Sequence, residues 1–390
     1  MPQRPLLAVA ALAVCTTALP QTLAAQTPTP QPLQSMPYSP SLDVTSLDRS
    51  VDPCQDFYKF SCGGWEKNNP IPADQASWSV YAKLGNENQQ FLWGILADDA
   101  KATNRTPIQQ KVGDYFAACI NTSAIDSLGD KPLQPALAEI DALRTRAALI
   151  AALTHLHHEY AGSFFFGSGT DQDAIDSSLM IVELRAGGLG LPDRDYYTKT
   201  DPKSVKIREE YVAYIQQLLA LTGESTDQAK ADADATLKIE TTLANASLTR
   251  VQRRDPHNTY HMQTIEELAK LAPSIDWPLY FKTQGAPGIS KLNVSQPAFM
   301  KAVEAELTTE DVAGLRGYLR FHLVTAAASN LAHPFEQASF DFYSKTLRGI
   351  PAMPPRWKTC TRAVDRSLAK RSARSLWLGP SPPTPRPRRS

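Results

Sequence analysis

DPCQDFYKFSCGGW, at Asp52 to Trp65, combines two cysteines with a dense run of aromatic residues. Cys54 and Cys62 stand eight positions apart, and the aromatic side chains between and after them are Phe57, Tyr58, Phe60 and Trp65. Aromatic side chains bury large apolar areas, and cysteines of an exported protein form lasting disulfides. The pattern predicts a segment that is pinned covalently to something large and apolar.

The composition excludes several classes of function. The chain has 390 residues, enough for two or three ordinary domains or one large domain. Its 42% hydrophobic content is sufficient for a sizeable core. Lys+Arg and Asp+Glu are equal at 40 each, so no overall field attracts nucleic acid or an anionic membrane. We therefore expect no nucleic-acid partner.

The first 25 residues have the pattern of a secretory signal. Arg4 supplies a positive start, residues 6–14 form a short apolar core, and Leu23, Ala24 and Ala25 form a cleavage region. The apolar run is too short to span a bilayer, so we expect no transmembrane segment in the mature chain. Cys15 leaves lipoprotein processing open, although ordinary cleavage is favoured. We expect an exported protein, periplasmic or extracellular.

Four cysteines remain after the signal: Cys54, Cys62, Cys119 and Cys360. In an oxidising compartment they can pair in three ways, and their spacing alone does not choose among the three. No CxxC motif occurs, so a thiolate zinc knuckle is not expected.

Helical periodicity dominates the rest of the chain. Residues 26–50 are rich in Pro, Ser, Thr and Gln and predict a flexible tether. Asp74 stands where the cap of the first long helix is expected, and Trp277-Pro278 is expected to break a helix. Short strands are predicted at 163–167, 178–184 and 292–294. Further helices are predicted at 107–120, 133–140, 147–158, 203–221, 225–248, 265–271, 310–331 and 335–347.

Three later motifs extend the opening one. They are AGGLGLPDRDYY at 186–197, Arg253-Arg254-Asp255, and PRWKTC at 355–360. Together the four motifs resemble the N-terminal domain of the neprilysin and endothelin-converting-enzyme family of zinc metallopeptidases, from about Ser46 to Asp365. The resemblance implies a mainly α, bundle-like lid domain over residues 51–365 with a small β element. In full-length relatives such a lid closes over a thermolysin-like catalytic domain that acts on peptide substrates.

The resemblance also implies a pattern of disulfides. Positions similar to Cys119 and Cys360 are bonded in family members, so these two are expected to pair. Cys54 and Cys62 correspond to cysteines that bond to the C-terminal part of the catalytic domain. We therefore expect Cys54 and Cys62 to be free, mispaired or joined to each other.

The family's zinc motif, HExxH, does not occur in the 390 residues. His257 and His261 have its spacing, but Asn258 stands where the general base must be, and an amide cannot take a proton from water. The cluster of His155, His157, His158 and Glu159 has Gly162 where the second histidine would be. We expect both groups to be scaffold, with no catalytic residue, no metal ligand and no cofactor in this chain. Zinc is expected only in full-length relatives.

Two other departures bear on function. Ser77 occupies the place of an arginine that helps relatives to hold a peptide's C-terminal carboxylate, so that fork is missing. Residues 366–390 contain seven basic residues and no acidic ones, and they predict an aberrant or disordered tail. We interpret the chain as the lid portion of a secreted zinc metalloendopeptidase, inactive alone and lacking its catalytic domain. A stand-alone periplasmic peptide-binding helical module and a non-functional truncated gene product remain alternatives.

Overall fold

The computed structural model describes residues 30–38, 40, 42–160 and 164–378. The predicted signal at 1–25 and residues 379–390 of the predicted tail lie outside the described residues. Within them the fold is mainly α, as expected. The helices are α1 Phe57–Asn68, α2 Val80–Lys101, α3 Pro107–Ile120, α4 Thr122–Leu128, α5 Gln134–Ala142, α6 Arg146–Glu159, α7 Asp195–Thr198, α8 Pro202–Ala220, α9 Thr226–Ala246, α10 Ile265–Leu271, α11 Trp277–Thr283, α12 Pro297–Thr309, α13 Val312–Ala327, α14 His333–Ser339 and α15 Arg356–Leu378.

A small mixed sheet completes the fold. Its strands are β1 Phe166–Gln172, β2 Met180–Ala186, β3 Met262–Thr264 and β4 Lys291–Val294, in the order β1-β2-β4-β3. β1 and β2 form an antiparallel hairpin in which Phe166 pairs with Ala186. β4 runs parallel to β2 and antiparallel to β3. The expected small β element is therefore present, with one more strand than the periodicity predicts.

The main core lies between the central helices and the sheet. Its largest fully buried side chains are aromatic and come from α8, α11 and α13 as well as the start of β1: Tyr211, Trp277, Tyr280, Tyr318, Phe321, Phe164, Phe165 and Phe166. Buried aromatic groups of this size dominate the energetics of a core, and their hydroxyl or indole groups need partners. The Trp277 indole donates to Ala272 O at 2.9 Å, so this buried polar group is satisfied.

A second, smaller cluster joins the two ends of the domain. Leu96 of α2, Val112 and Phe116 of α3, and Cys360 and Val364 of α15 are all buried together. Trp93 and Trp357 stack at the edge of this cluster, with ring centroids 4.6 Å apart.

The structure contains a disulfide between Cys119 and Cys360 in this three-helix layer, with an S–S distance of 2.08 Å. It links the end of α3 to the first turn of α15 across 241 residues of sequence. The entry and exit of the domain are thus fixed to each other covalently.

Two predicted helix boundaries are wrong, and long-range contacts explain one of them. Asp74 does not cap α2; Ser79 does, accepting a hydrogen bond from the Ala82 backbone N–H at 3.2 Å. Asp74 instead pairs with Lys358 at 2.7 Å, and both side chains are about 10% exposed. Trp277-Pro278 begins α11 rather than breaking a helix, because proline is tolerated in a first turn.

The two predicted terminal segments differ from simple tethers where they are described. Leu33 N donates to Gln90 O of α2 at 3.2 Å, so part of the segment at 26–50 lies against the domain. At the other end, α15 continues to Leu378, with a non-helical backbone at Leu368. Residues 366–378 are therefore helical on both sides of a kink at Leu368.

Candidate functional site

The most unusual surface of the domain is an exposed apolar face at its N-terminal end. None of the α1 side chains is buried, and the buried residues of α2 begin only at Gly94. We call the following set the aromatic face: Phe57, Tyr58, Ile71, Val80, Tyr81 and Leu84, with exposures from 48% for Leu84 to 86% for Tyr81. Large exposed apolar patches mark interaction surfaces, since water contact with such groups is unfavourable.

Local hydrogen bonds hold the two helices of this face together. Lys83 Nζ donates to Asn69 Oδ1 at 2.9 Å, and Asn69 Nδ2 donates to Trp65 O at 2.8 Å. α1 is capped by Asp56, whose side chain accepts from Lys59 N at 2.9 Å. The face is thus presented on ordered helices.

Two thiols accompany the aromatic face. Cys54, just before α1, is exposed, and Cys62, within α1, is partly buried; the structure leaves both as free cysteines. Since Cys119 and Cys360 bond to each other, neither is a partner for these thiols.

A buried carboxylate organises the glycine-rich loop at 187–192. Glu240 of α9 is fully buried and accepts hydrogen bonds from Tyr197 Oη at 2.7 Å and from Gly190 N at 3.1 Å. Tyr211 Oη also donates to it, and His322 Nε2 lies 2.8 Å from Oε1. A Cβ at Gly190 would overlap the Tyr211 hydroxyl, so the loop needs glycine there. This cluster therefore holds the loop in position, and both carboxylate oxygens of Glu240 have hydrogen-bond partners.

A second anchor for the same loop lies on its other side. The carboxylate of Asp193 is buried, and Arg250 Nε and Arg253 Nη2 lie 2.8 and 3.3 Å from its Oδ2. The hydrogen bond from the Asp195 N–H and these two arginines lower the pKa of Asp193 despite its burial. The Arg253 motif therefore holds the glycine-rich loop in place.

The first histidine group lacks the arrangement that zinc requires. His257 lies in a short 3₁₀ turn at Pro256–Asn258, its side chain is 95% exposed, and it pairs with Asp255 at 2.9 Å. The His261 backbone N–H donates to Asn293 Oδ1 at 2.7 Å, just before β3. The two histidines do not share a helical face, which the HExxH geometry demands.

The second histidine group is dispersed as well. His157 is largely but not fully buried, with Nε2 2.7 Å from Phe164 O and Nδ1 2.9 Å from the Tyr280 hydroxyl. Burial lowers its pKa to about 4, so the ring is neutral at pH 7. His155 lies 3.5 Å from Glu139, and His158 lies 3.9 Å from Glu159. Among the described residues no group of three or more His, Cys, Asp or Glu could hold a metal ion, so these residues do not fit the family's zinc.

Several structurally important residues escape sequence reasoning. Glu240, Asp232, Glu224 and Arg320 are charged residues in the interior, and each lies on or next to an ordinary amphipathic helix. Their partners lie up to 179 residues away in sequence, as between Arg320 and Asp141. Ser77, which stands at the place of the family's arginine, is exposed.

These features define a mainly α-helical domain with an uncovered aromatic face and no metal site in its described part. The family model described as "Peptidase family M13" (Peptidase_M13_N) matches residues 53–375. Endothelin-converting enzyme 1 of Cavia porcellus is 30% identical over 338 residues, which cover 83% of this chain and 44% of the relative. Neprilysin-3 of Drosophila melanogaster is 29% identical over 337 residues, covering 81% and 43%.

A solved structure shares the fold. The zinc metalloprotease ZMP1 of Mycobacterium tuberculosis, in complex with an inhibitor, superposes with a TM-score of 0.80 at 25% identity, covering 87% of this chain and 52% of that one. The chain belongs to peptidase family M13, and it corresponds to the family's N-terminal domain. It spans about half the length of the relatives that it matches.

Proposed function

We propose that this chain is the substrate-gating lid of an exported zinc metalloendopeptidase, and that it acts only when a catalytic domain covers its aromatic face. The observation that carries the proposal is the uncovered face itself. No side chain of α1, a 12-residue helix with four aromatic residues, is buried, and within the described residues the helix packs mainly on the short turn at Val44–Ser46. In proteins most helical stability comes from tertiary packing of an amphipathic face. We therefore infer that another surface packs against α1.

The chemistry of the chain supports a requirement for a partner. The 390-residue sequence contains no HExxH, and the histidine groups that imitate it are dispersed. Hydrolysis by this family's mechanism needs a metal and a general base, and neither can be assigned to a residue here. The peptides would be gated by this lid and cleaved by residues of a catalytic domain.

Export is part of the same proposal. The signal-like first 25 residues support it, together with the pairing of Cys119 with Cys360, because disulfides persist in oxidising compartments. No helix in the described ranges is long and apolar enough to cross a membrane.

The aromatic face can be tested directly with an apolar fluorescent dye and with size-exclusion chromatography. Phe57→Ser combined with Tyr81→Ser removes two exposed rings, and we expect most dye binding and any self-association to be lost. A matched control, Ile175→Ser with Leu179→Ser, changes two exposed apolar residues at the tip of the hairpin. Equal dye binding by wild type and the Phe57/Tyr81 variant, or an equal loss in the control, would contradict the proposal.

A further inference from the structure

A cavity of about 430 Å³ lies away from the aromatic face, between α5, the α8–α9 turn and α13. Its walls carry both signs of charge: Asp141, Glu224 and Asp232 against Arg144, Arg316 and Arg320. The volume falls within the range of about 300–1,000 Å³ that is typical of small-molecule sites. We call it the charged cavity.

All three guanidinium nitrogens of Arg320 contact residues that line this cavity. Its Nε contacts Glu224 Oε1, its Nη1 lies 2.6 Å from both carboxylate oxygens of Asp141, and its Nη2 lies 3.3 Å from Thr222 Oγ1. The pair with Glu224 is buried, whereas the Asp141 side chain is 54% exposed, and together these charge-assisted contacts fix the position of the guanidinium. Arg320 therefore makes no direct hydrogen bond or ion pair with Asp232 and acts on it only from a distance.

Asp232 is a buried carboxylate of the cavity wall that has only one hydrogen-bond partner. It is 4% exposed, and its Oδ1 accepts a hydrogen bond from Gln228 Nε2 at 2.7 Å. Its Oδ2 has no hydrogen-bond partner among the described residues. The carboxyl group packs so closely against Gly317 of α13 that a Cβ there would lie 2.5 Å from Asp232 Cγ. On the same wall Glu224 Oε2 is buried without a hydrogen-bond partner, so the cavity has two carboxylates with an oxygen that no described residue pairs. Such groups favour a positively charged partner.

The groups around Asp232 define its charge. Burial and the neighbouring Glu224 raise its pKa to about 6, while Gln228, Arg320 and Arg316 act in the opposite direction. Asp232 is thus mostly ionised at pH 7, beside a second carboxylate.

The rim of the cavity carries positive charge. Arg144, in the α5–α6 connection, is exposed and forms no hydrogen bond or ion pair with any described residue. Arg316 donates only a long hydrogen bond, 3.4 Å, to Asp141 O. An unpaired guanidinium is the group that binds a carboxylate in a bidentate manner.

We propose that the charged cavity binds a small zwitterion, a free amino acid or a dipeptide, with its ammonium group at Asp232 and its carboxylate at Arg144. An ammonium group supplies the donor that Asp232 Oδ2 lacks, and the carboxylate neutralises the guanidinium at the rim. A ligand with one charge alone would leave one of the two groups unpaired.

Isothermal titration of the purified chain with L-alanyl-L-alanine tests this inference, with ethylamine and propionate as single-charge probes. We expect the dipeptide to bind at least about tenfold more tightly than either probe. Since a bound ammonium group favours ionised Asp232, affinity should fall as the pH is lowered from about 7.5 to about 5.

Two variants and two matched controls locate the site. Asp232→Asn preserves shape and the bond from Gln228 and removes the charge, and Arg144→Gln changes only the exposed rim. Each should weaken dipeptide binding by about tenfold or more, whereas Asp234→Asn and Arg348→Gln, both at exposed positions, should leave it unchanged. Absence of binding at about 10 mM dipeptide, equal binding of ethylamine, or unchanged affinity in the Arg144 variant would overturn the inference.

Discussion

Cys360→Ser should remove the strongest covalent constraint on the domain. The bond between Cys119 and Cys360 closes a loop across 241 residues. For a loop of this length, chain entropy alone stabilises the folded state by roughly 5 kcal/mol, an upper value because residual structure in the unfolded chain reduces it. That is comparable with the lower end of the total stability of a domain, about 5–15 kcal/mol.

Loss of the Cys119–Cys360 bond should lower the midpoint of thermal unfolding. Cys360 is fully buried in the small cluster with Phe116 and Val364, where α15 packs on α3. At about 2–4 °C per kcal/mol, the midpoint of the oxidised variant should fall by about 10–20 °C. Under reducing conditions wild type and variant should melt within a few degrees of each other, because both then lack the bond.

Calorimetry or circular dichroism of oxidised and reduced samples measures this effect. Cys54→Ser is the matched control: it removes an exposed free thiol and should leave the oxidised midpoint unchanged. The reasoning is refuted if oxidised wild type and Cys360→Ser melt together, or if peptide mapping finds Cys119 as a free thiol.

Two further predictions concern buried polar groups. Glu240→Ala leaves the hydroxyls of Tyr197 and Tyr211 without their acceptor. In denaturant titrations this should lower the free energy of unfolding by more than about 4 kcal/mol. The control Glu209→Ala, at an exposed position, should change the free energy of unfolding little. The neutral ring of His157 takes up a proton only near pH 4 when folded but near 6.5 when unfolded, so folding stability should fall by up to about 3 kcal/mol as the pH drops through this window. The His157→Gln variant should lose less folding stability than wild type over the same pH range. His257→Gln changes a 95% exposed position and should show the same pH dependence of stability as wild type. Identical pH profiles for all three proteins would contradict the assignment.

Much of the helical fold can be predicted from local sequence. The helices predicted at 203–221 and 225–248 correspond to α8 and α9, because amphipathic spacing coincides there with capping by Asp201 and Ser225. The start of α2 could not be predicted in the same way. Asp74 and Ser79 are both good caps, and the choice between them depends on Lys358, 284 residues away.

The two candidate sites also differ in how far local sequence predicts them. Part of the aromatic face is visible in the sequence, because Phe57 and Tyr58 lie between Cys54 and Cys62 in the opening motif. The charged cavity is not visible, because Asp232 lies in α9 and Arg144 in the α5–α6 connection, and both look like ordinary solvent-facing positions in the sequence. Only the tertiary packing of α9 against α13 shows that the Asp232 carboxylate is buried beside Gly317.

Metal analysis of the purified chain, combined with a peptide-cleavage assay, tests the central claim most directly. We predict no stoichiometric zinc and no cleavage of peptides, because in the proposed function these 390 residues supply the lid, and HExxH does not occur among them. One tightly held zinc per chain with accompanying hydrolysis, both lost when His257 and His261 are changed together, would contradict the account.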